Sequence, residues 1–244
     1  MKQSIIFLFI FNTGTLKPDF MEQINYQEAD QKTVNRAAFN TWYDHINKWE
    51  GKKLGDIVKV DQDDVATNHG IRFDSWTTIA AQIWGINKRD LWTRFVEMTH
   101  EEHKAIAFWY WKKSGATKLK DGRCAAILAE SFWGSYIHGA RTMQRNVSQQ
   151  FGIRLVADGV VGRNTAAAFN SIEDQDSLFN VLVEAYREHY VRVAGKSAGY
   201  YRNLNGWLGR LYFGSRHRPG FCSVFAGWKP PLVEGTREDP PATL

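Results

Sequence analysis

The sequence has few cysteines and no long apolar run, and both features narrow the class of protein. Its 244 residues include two cysteines, Cys124 and Cys222, which are too few for a disulfide framework. Whether they pair stays open at this point. No stretch approaches the roughly 20 consecutive apolar residues that span a bilayer, so we expect no membrane span. A chain of this length is long enough to fold around a hydrophobic core of its own.

Charge of one sign is present in only slight excess. The net charge is +5, and no run of five or six basic residues occurs. A nucleic-acid-binding role would rest on this charge alone, because no basic helix or aromatic and basic platform is present, so we expect no nucleic-acid partner. The modest positive charge favours contact with an anionic surface such as a cell wall.

The two ends of the sequence differ in composition from its centre. A seven-residue apolar run begins at Ile5, which is the lower limit for a signal peptide, and no Ala-x-Ala cleavage site follows. We therefore expect an N-terminal arm over residues 1–38, with no signal peptide identified. Pro230-Pro231 and Pro240-Pro241 stand among polar residues, and this composition predicts a C-terminal tail over residues 219–244.

Between these ends the apolar pattern is helical, which predicts a mainly α domain over residues 39–218. The first helix carries one stripe at spacings of three and four, formed by Phe39, Trp42, Ile46 and Trp49. Asp74 is the predicted N-cap of a second helix that ends at Gly85. Thr99 and Glu102 form a capping-box pattern that opens a third. Further helices are predicted at 125–133, 137–151, 178–193 and 200–213, and the tryptophans on these stripes are expected to pack in the core.

Glu50 stands out among the carboxylates because it ends the aromatic first helix, directly after Trp49. Gly51 then breaks the helix, and a polar loop carries Asp61, Asp63 and Asp64. A glycosidase needs one protonated carboxyl as general acid and a second group that positions water or stabilises the transition state. A glutamate beside an indole and an aspartate in a polar loop supply two different environments for these roles.

The order of motifs along the chain resembles glycoside hydrolase family 108, the N-acetylmuramidases with a lysozyme-like fold. The resemblance covers roughly residues 39 to 213. It rests on five pieces in order: Glu50-Gly51 with the acidic loop, Thr67-Asn68-His69-Gly70-Ile71, Met98-Thr99 before a helix ending in Trp111, Gln144 with Asp158-Gly159-Val160-Val161-Gly162, and Tyr200-Tyr201-Arg202 with Gly206-Trp207-Leu208-Gly209-Arg210. The fourth piece resembles the family's C-terminal peptidoglycan-binding module, and the fifth resembles the family's closing helix.

The resemblance implies a peptidoglycan hydrolase without a metal or an organic cofactor. It implies a catalytic half over 39–120 and a peptidoglycan-binding half over 121–218, with a short hairpin or irregular loop region. By the resemblance Glu50 takes the catalytic role, as general acid, and Thr67 matches the threonine that opens the motif after the acidic loop. The loop aspartate that assists them stays open, and Asp63 is favoured over Asp61 and Asp64. Three residues are expected to bind substrate, namely Asn68, His69 and Asp158. The chain departs from the family pattern at Lys52 and before Thr67, where glycines are missing.

Several alternatives stay open. The chain is either an active muramidase, a lytic transglycosylase that uses the same glutamate, or an inactive peptidoglycan-binding or structural component of a virion. We expect it to be virion-associated or released to the bacterial cell wall, with phage structural proteins as further partners of the arm and the tail. A metal site at His100 and His103 is not expected, because their spacing is three and zinc-binding histidines on a helix need four. For His69, a structural role is favoured over acid–base chemistry.

Overall fold

A computed structural model describes residues 35–50, 53–59, 65–86 and 91–226. The N-terminal arm up to residue 34, the loop residue Asp63 and the tail beyond residue 226 therefore lie outside the described residues. The helices are α1 Asn35–Glu50, α2 Phe73–Trp84, α3 Leu91–Val96, α4 His100–Lys113, α5 Gly122–Ser135, α6 Ile137–Phe151, α7 Arg163–Ser171, α8 Gln175–Ala194, α9 Ala198–Leu208 and α10 Phe221–Ala226. A 3₁₀ turn covers Ala116–Lys118, and a π-helical turn, Gly209–Phe213, extends α9.

A small antiparallel sheet lies between α1 and α2. Its strands are β1 Val58–Lys59, β2 Ala66–Asn68 and β3 Ile71–Arg72, in the order β1-β2-β3. Thr67 pairs with Val58 on one side and Arg72 on the other. The turn between β2 and β3 consists of His69 and Gly70, both with positive φ, as two-residue hairpin turns require. The prediction of a mainly α chain with a short hairpin region is confirmed, which is consistent with a lysozyme-like fold.

Most helices pack around one hydrophobic core, here called the large core. It is formed by α1, one face of α4, and α5 to α8, together with residues of the π-helical turn and of α10. Its largest buried side chains include Trp42, Trp111, Tyr186, Phe169, Phe179 and Phe221. Cys124 and Cys222 are both buried free thiols in this core. The stripe predicted for the first helix faces it, since Phe39, Trp42 and Ile46 are fully buried.

A second, smaller cluster, here called the small core, lies under the sheet and the short helices. It is formed by Ile71 from β3, Trp76, Ile79 and Ala80 from α2, Phe95 from α3, Met98, and Ile106 from α4. Helix α4 contributes to both cores, because Ile106 packs in the small core whereas Ala107 and Trp111 pack in the large one. This helix therefore joins the two parts of the chain.

The capping residues predicted at Thr99 and Gly85 are confirmed, whereas the N-cap predicted at Asp74 is wrong. The capping box of Thr99 and Glu102 is present at the start of α4, and Gly85 ends α2 in the left-handed conformation. Asp74, however, is inside the first turn of α2, because the helix begins at Phe73 directly after β3. In the first turn, its carboxylate still accepts a hydrogen bond from the Ser75 backbone N–H.

The predicted boundaries of the domain are too narrow at both ends. Helix α1 begins at Asn35, four residues before the predicted domain start at 39. At the other end, α10 lies inside the predicted tail, and its residues Phe221 and Cys222 are fully buried in the large core. The tail was placed from residue 219 because of prolines further along the chain, whereas the apolar residues just after Gly220 pack as core.

Candidate active site

Glu50 lies at the C-terminal end of α1, between the two cores. Its Oε1 accepts hydrogen bonds from the indole N–H of Trp133 at 3.0 Å and from Nη1 of Arg210 at 2.7 Å. Its side chain is 19% exposed. The carboxylate is thus held by two donors that come from distant parts of the large core, while part of its surface still reaches solvent.

The hairpin turn of the small core lies against the other side of Glu50. A side chain at Gly70 is excluded, because a Cβ there would lie 2.6 Å from both Cγ and Oε2 of Glu50. The φ of Gly70 is +79°, which also favours glycine. The glycine of the Thr67-to-Ile71 motif therefore permits the close approach of Oε2 to the turn.

A cleft of about 560 Å³ opens beside Glu50, between the two cores. Gly70 and Trp133, which both touch Glu50, form part of its wall. Strand β3 contributes Arg72, and helix α2 contributes Asp74, Ser75, Thr78 and Ile79. Helix α4 contributes Trp109 and Tyr110, and the end of α5 with the residue after it contributes Phe132, Gly134, Ser135 and Tyr136. Aromatic faces beside hydroxyl and charged groups are suited to sugar rings, which present apolar faces and polar edges.

Arg210 connects Glu50 to a second, fully buried carboxylate. Its Nε donates to Oε1 of Glu130, and Trp42 donates its indole N–H to Oε2 of the same glutamate at 2.9 Å. Burial alone would raise the pKa of Glu130, but the Arg210 guanidinium beside it holds that pKa below its usual value. Burial alone would likewise lower the pKa of Arg210, but Glu130 and Glu50 raise it well above its usual range. Both members of this pair are therefore charged.

Thr67 and Asn68 hold the hairpin in place. Thr67 is buried in the middle of the sheet. Asn68 is fully buried, accepts a hydrogen bond from the Gly55 N–H at 2.9 Å and donates one to the Phe95 carbonyl at 2.6 Å. The predicted substrate contact of Asn68 is therefore wrong for this structure, because both ends of its amide are used inside the small core.

His69 supports the same turn from within. It is buried, and its Nε2 lies 2.7 Å from Oδ1 of Asn47 on α1. Its carbonyl accepts a hydrogen bond from Nε2 of His103, whose ring packs edge-to-face on the His69 ring. Burial lowers the pKa of His103 to about 4, so this histidine is neutral near pH 7. These contacts agree with the structural role favoured for His69 rather than with a substrate contact.

Asp158 belongs to a different part of the molecule. It lies in the turn after α6, where its carboxylate accepts hydrogen bonds from the Val160 N–H and from the amide of Gln144. These bonds lower its pKa. The Gln144 amide oxygen in turn accepts from the Gly159 N–H, and a Cβ at Gly159 would lie 2.5 Å from the Ile137 carbonyl. Asp158 therefore shapes a turn packed on α6.

The sequence alone did not identify Glu130, Arg210 or Tyr136 as residues of the site. Glu130 carries a detectable signal, since it is a single carboxylate within the apolar stretch Cys124–Phe132 of α5, and a buried charge needs a partner. Arg210 was noticed only as part of the closing motif. Tyr136 carries no such signal, because its importance lies in its backbone conformation, described in the Discussion.

The described ranges contain neither a metal-binding cluster nor a membrane-spanning helix. There, no group of three histidine, cysteine or acidic side chains is arranged to hold a metal ion. Among those same residues, no helix combines the length and the apolar character needed to cross a membrane.

Comparison with known proteins gives one match. Residues 138–212 match a family model described as "Predicted Peptidoglycan domain". This match supports a peptidoglycan-binding module from α6 through most of the π-helical turn, which makes peptidoglycan the supported partner. No curated protein and no solved structure matches the chain.

Proposed function

We propose that this protein is a peptidoglycan hydrolase of the N-acetylmuramidase type, with Glu50 as its general acid. The observation that carries the proposal is the position of Glu50, which is held by Trp133 and Arg210 and lies against the Gly70 turn. Two of these neighbours, Gly70 and Trp133, line the aromatic and polar cleft beside it. The peptidoglycan-family match and the resemblance to glycoside hydrolase family 108 support the same substrate.

The contacts of Glu50 distinguish its two carboxyl oxygens. Its Oε1 is occupied by two donors, so Oε2, beside Gly70, is the oxygen that would carry the proton to the glycosidic oxygen. The guanidinium of Arg210 is shared between Glu50 and the ionised Glu130, so it does not serve Glu50 alone.

The group that assists Glu50 remains part of the proposal. Thr67 lies in the central strand of the sheet, and Asp63, the favoured loop aspartate, lies outside the described residues. Asp74 is a carboxylate in the cleft wall, but it is paired with Arg72 at 2.8 Å, and the hydrogen bond from Arg72 lowers its pKa. An ionised Asp74 would stabilise positive charge that develops on a sugar in the cleft.

The test is digestion of purified peptidoglycan by the wild type and by Glu50→Gln, with mass spectrometry of the soluble fragments. We expect reducing muramic acid ends from the wild type and a loss of about 10²- to 10⁴-fold in rate for Glu50→Gln. Glu101→Gln is the matched control, because Glu101 is exposed in the first turn of α4, and it should keep the wild-type rate.

Other outcomes would replace this proposal by a defined alternative. Anhydro-muramic ends would identify a lytic transglycosylase that uses the same glutamate. Wall binding without any fragments would identify an inactive binding or structural component. Action at the bacterial cell wall follows from the proposed substrate. Association with a phage particle stays a prediction, to be tested by detecting the chain in purified virions.

A further inference from the structure

Arg210 belongs to the part of the chain that matches the peptidoglycan family, whereas Glu50 lies outside it. The match covers residues 138–212, and Arg210 is in its last turn, 160 positions after Glu50. The backbone there forms a π-helical turn, Gly209–Phe213, a geometry that is rare in proteins and frequent at functional sites. The candidate general acid is thus contacted from the region that the match describes as peptidoglycan-related.

The two sides of the Arg210 guanidinium bind two different carboxylates. One edge of the planar group, Nε and Nη2, faces Glu130, and Nη1 on the other side faces Glu50. Glu130 is 2% exposed and is fixed in turn by the indole of Trp42. Because the fork is rigid, fixing one edge on Glu130 also fixes the direction in which Nη1 points.

We propose that Arg210 is a positioning residue for Glu50, so that the peptidoglycan-related region completes the candidate active site and does more than hold the wall. The inference rests on the proposed function, since it concerns the general acid named there. It predicts that the charge balance between Glu130 and Arg210 sets the pH range in which Glu50 works.

A purely structural role would leave a different signature. A buried ion pair is often replaced by neutral residues of similar size without loss of stability, whereas removal of one partner is costly. If Arg210 only compensates Glu130, replacing both residues by neutral ones leaves activity and its pH dependence unchanged. The other ionisable groups that interact with Glu50 or with this pair stay in place in such a variant; they are His45, His103, Tyr186 and Tyr190.

The experiment compares the pH–rate profiles of peptidoglycan hydrolysis by the wild type, by Glu130→Gln and by the double variant Glu130→Gln/Arg210→Gln. In Glu130→Gln the guanidinium faces Glu50 alone and favours its ionised form, so the alkaline limb should move to lower pH by about one unit. In the double variant the nearest positive charge is lost, so the same limb should move to higher pH. Shifts in the same direction, or none in either variant, overturn the proposal.

Two further variants separate position from charge. Arg210→Lys keeps a positive charge but lacks the fork, so its alkaline limb should move less than that of the double variant, while its maximal rate falls at least about 10-fold. Arg187→Gln is the control, because Arg187 pairs with Glu184 on the surface of α8, and its profile should match the wild type. A full maximal rate for Arg210→Lys contradicts a positioning role.

Failure of this proposal is distinguishable from failure of the proposed function. If the wild type hydrolyses and Glu50→Gln does not, but the paired variants keep the wild-type profile, only the positioning role is wrong. If the wild type does not hydrolyse peptidoglycan, the carboxyl ¹³C signal of Glu50 is titrated by NMR in the same variants. Opposite shifts of its midpoint then support the control of Glu50 by Arg210, and equal midpoints overturn it.

Discussion

The large core and the small core hold the two walls of the cleft by different means. On the side of the large core, Glu50 meets a charged network, in which Arg210 is shared between Glu50 and the buried Glu130. On the side of the small core it meets a two-residue turn, which Asn68 and the neutral His103 hold by hydrogen bonds.

Because of this difference, we expect one wall of the cleft to be rigid and the other to move. A charged fork between two carboxylates fixes direction strongly, because charge-assisted hydrogen bonds are about twice as strong as neutral ones. A hairpin on short strands, held by neutral bonds, belongs to the part of a fold that opens at lower free energy. We therefore expect the large core to fix Glu50 and the small core to move when a glycan strand enters the cleft.

The first prediction concerns how far the large core extends, and it has the largest expected effect. Phe221 of α10 is fully buried and stacks on Phe225 at 4.6 Å between ring centroids. Phe221→Ala should lower the free energy of unfolding by about 3–5 kcal/mol, measured by urea denaturation. Phe213→Ala is the control, since Phe213 is 69% exposed, and should stay within about 0.5 kcal/mol. If both variants change the free energy of unfolding equally, α10 does not contribute to the large core and belongs to the predicted tail.

The second prediction concerns the hydrogen bonds of the small core. Asn68→Ala leaves the buried Phe95 carbonyl and the partly buried Gly55 N–H without their partner, which should cost about 2–3 kcal/mol. In hydrogen exchange measured by mass spectrometry, residues 53–59 and 91–96 of this variant should exchange faster than in the wild type. Exchange in the large core should stay close to that of the wild type.

Asn170 supplies a matched comparison for that prediction. It bonds the Lys120 N–H and the Lys118 carbonyl in the same way, but at a partly exposed position of the large core. Asn170→Ala should cost less than Asn68→Ala, because water replaces the lost partners there. Faster exchange spread evenly over the whole chain in Asn68→Ala would contradict the separate behaviour of the two cores.

The sequence predicts local features of this fold, whereas contacts between distant segments are visible only in the structure. The capping box at Thr99, the left-handed Gly85 and the stripe on α1 are local patterns, and the structure contains all three. The role of Asn68 depends on Gly55 and Phe95, which lie in separate segments, so neighbouring sequence gives no indication of it.

The candidate site likewise combines a local feature, which the sequence predicts, with long-range contacts, which it does not. Glu50 was found from its place at the end of an aromatic helix, which is a local feature. Its contacts with Trp133 and Arg210 span 83 and 160 positions, and long-range pairs of this kind leave no periodicity in the sequence. The family resemblance named the motif that ends in Arg210, but the partner of that residue is visible only in the structure.

The third prediction concerns the pH dependence of stability that arises from a buried histidine of the large core. His45 on α1 is buried, and neither ring nitrogen has a hydrogen-bond partner in the described part of the chain. Burial lowers its pKa from 6.5 to about 4, although the nearby Glu130 acts to raise it. The unfolded chain therefore binds the extra proton first as pH falls below 6.5, and stability is lost until pH reaches about 4.

The size of this effect follows from the two pKa values. His45 should account for a loss of about 2 kcal/mol in the free energy of unfolding between pH 7 and pH 5. The variant His45→Phe keeps a ring against Phe221 and should lose that much less over the same interval. His217→Phe is the control, because His217 is exposed, and it should keep the wild-type pH dependence. Equal pH dependence in all three proteins would contradict the prediction.

The last and smallest prediction concerns Tyr136, where the large core ends at the cleft. Tyr136 joins α5 to α6 with φ 52° and ψ −133°, a conformation that suits glycine, and its side chain is 50% exposed in the cleft wall. Such backbone strain costs about 1–3 kcal/mol and is concentrated at binding sites. A strained aromatic residue at this place is expected to contact the glycan.

Comparison of Tyr136→Gly with Tyr136→Ala measures the effect of backbone conformation on stability. Both variants lose the ring and its contact with Phe132, at 4.4 Å between centroids, so this loss cancels. Inside a helix, glycine is less stable than alanine by about 0.5–1 kcal/mol. Here the order should reverse, with Tyr136→Gly more stable than Tyr136→Ala by about 1 kcal/mol, or about 2–4 °C in Tm. Both variants should bind soluble peptidoglycan strands more weakly than the wild type. If alanine is the more stable residue, the backbone at position 136 is not strained, and exposure alone remains to argue for a glycan contact.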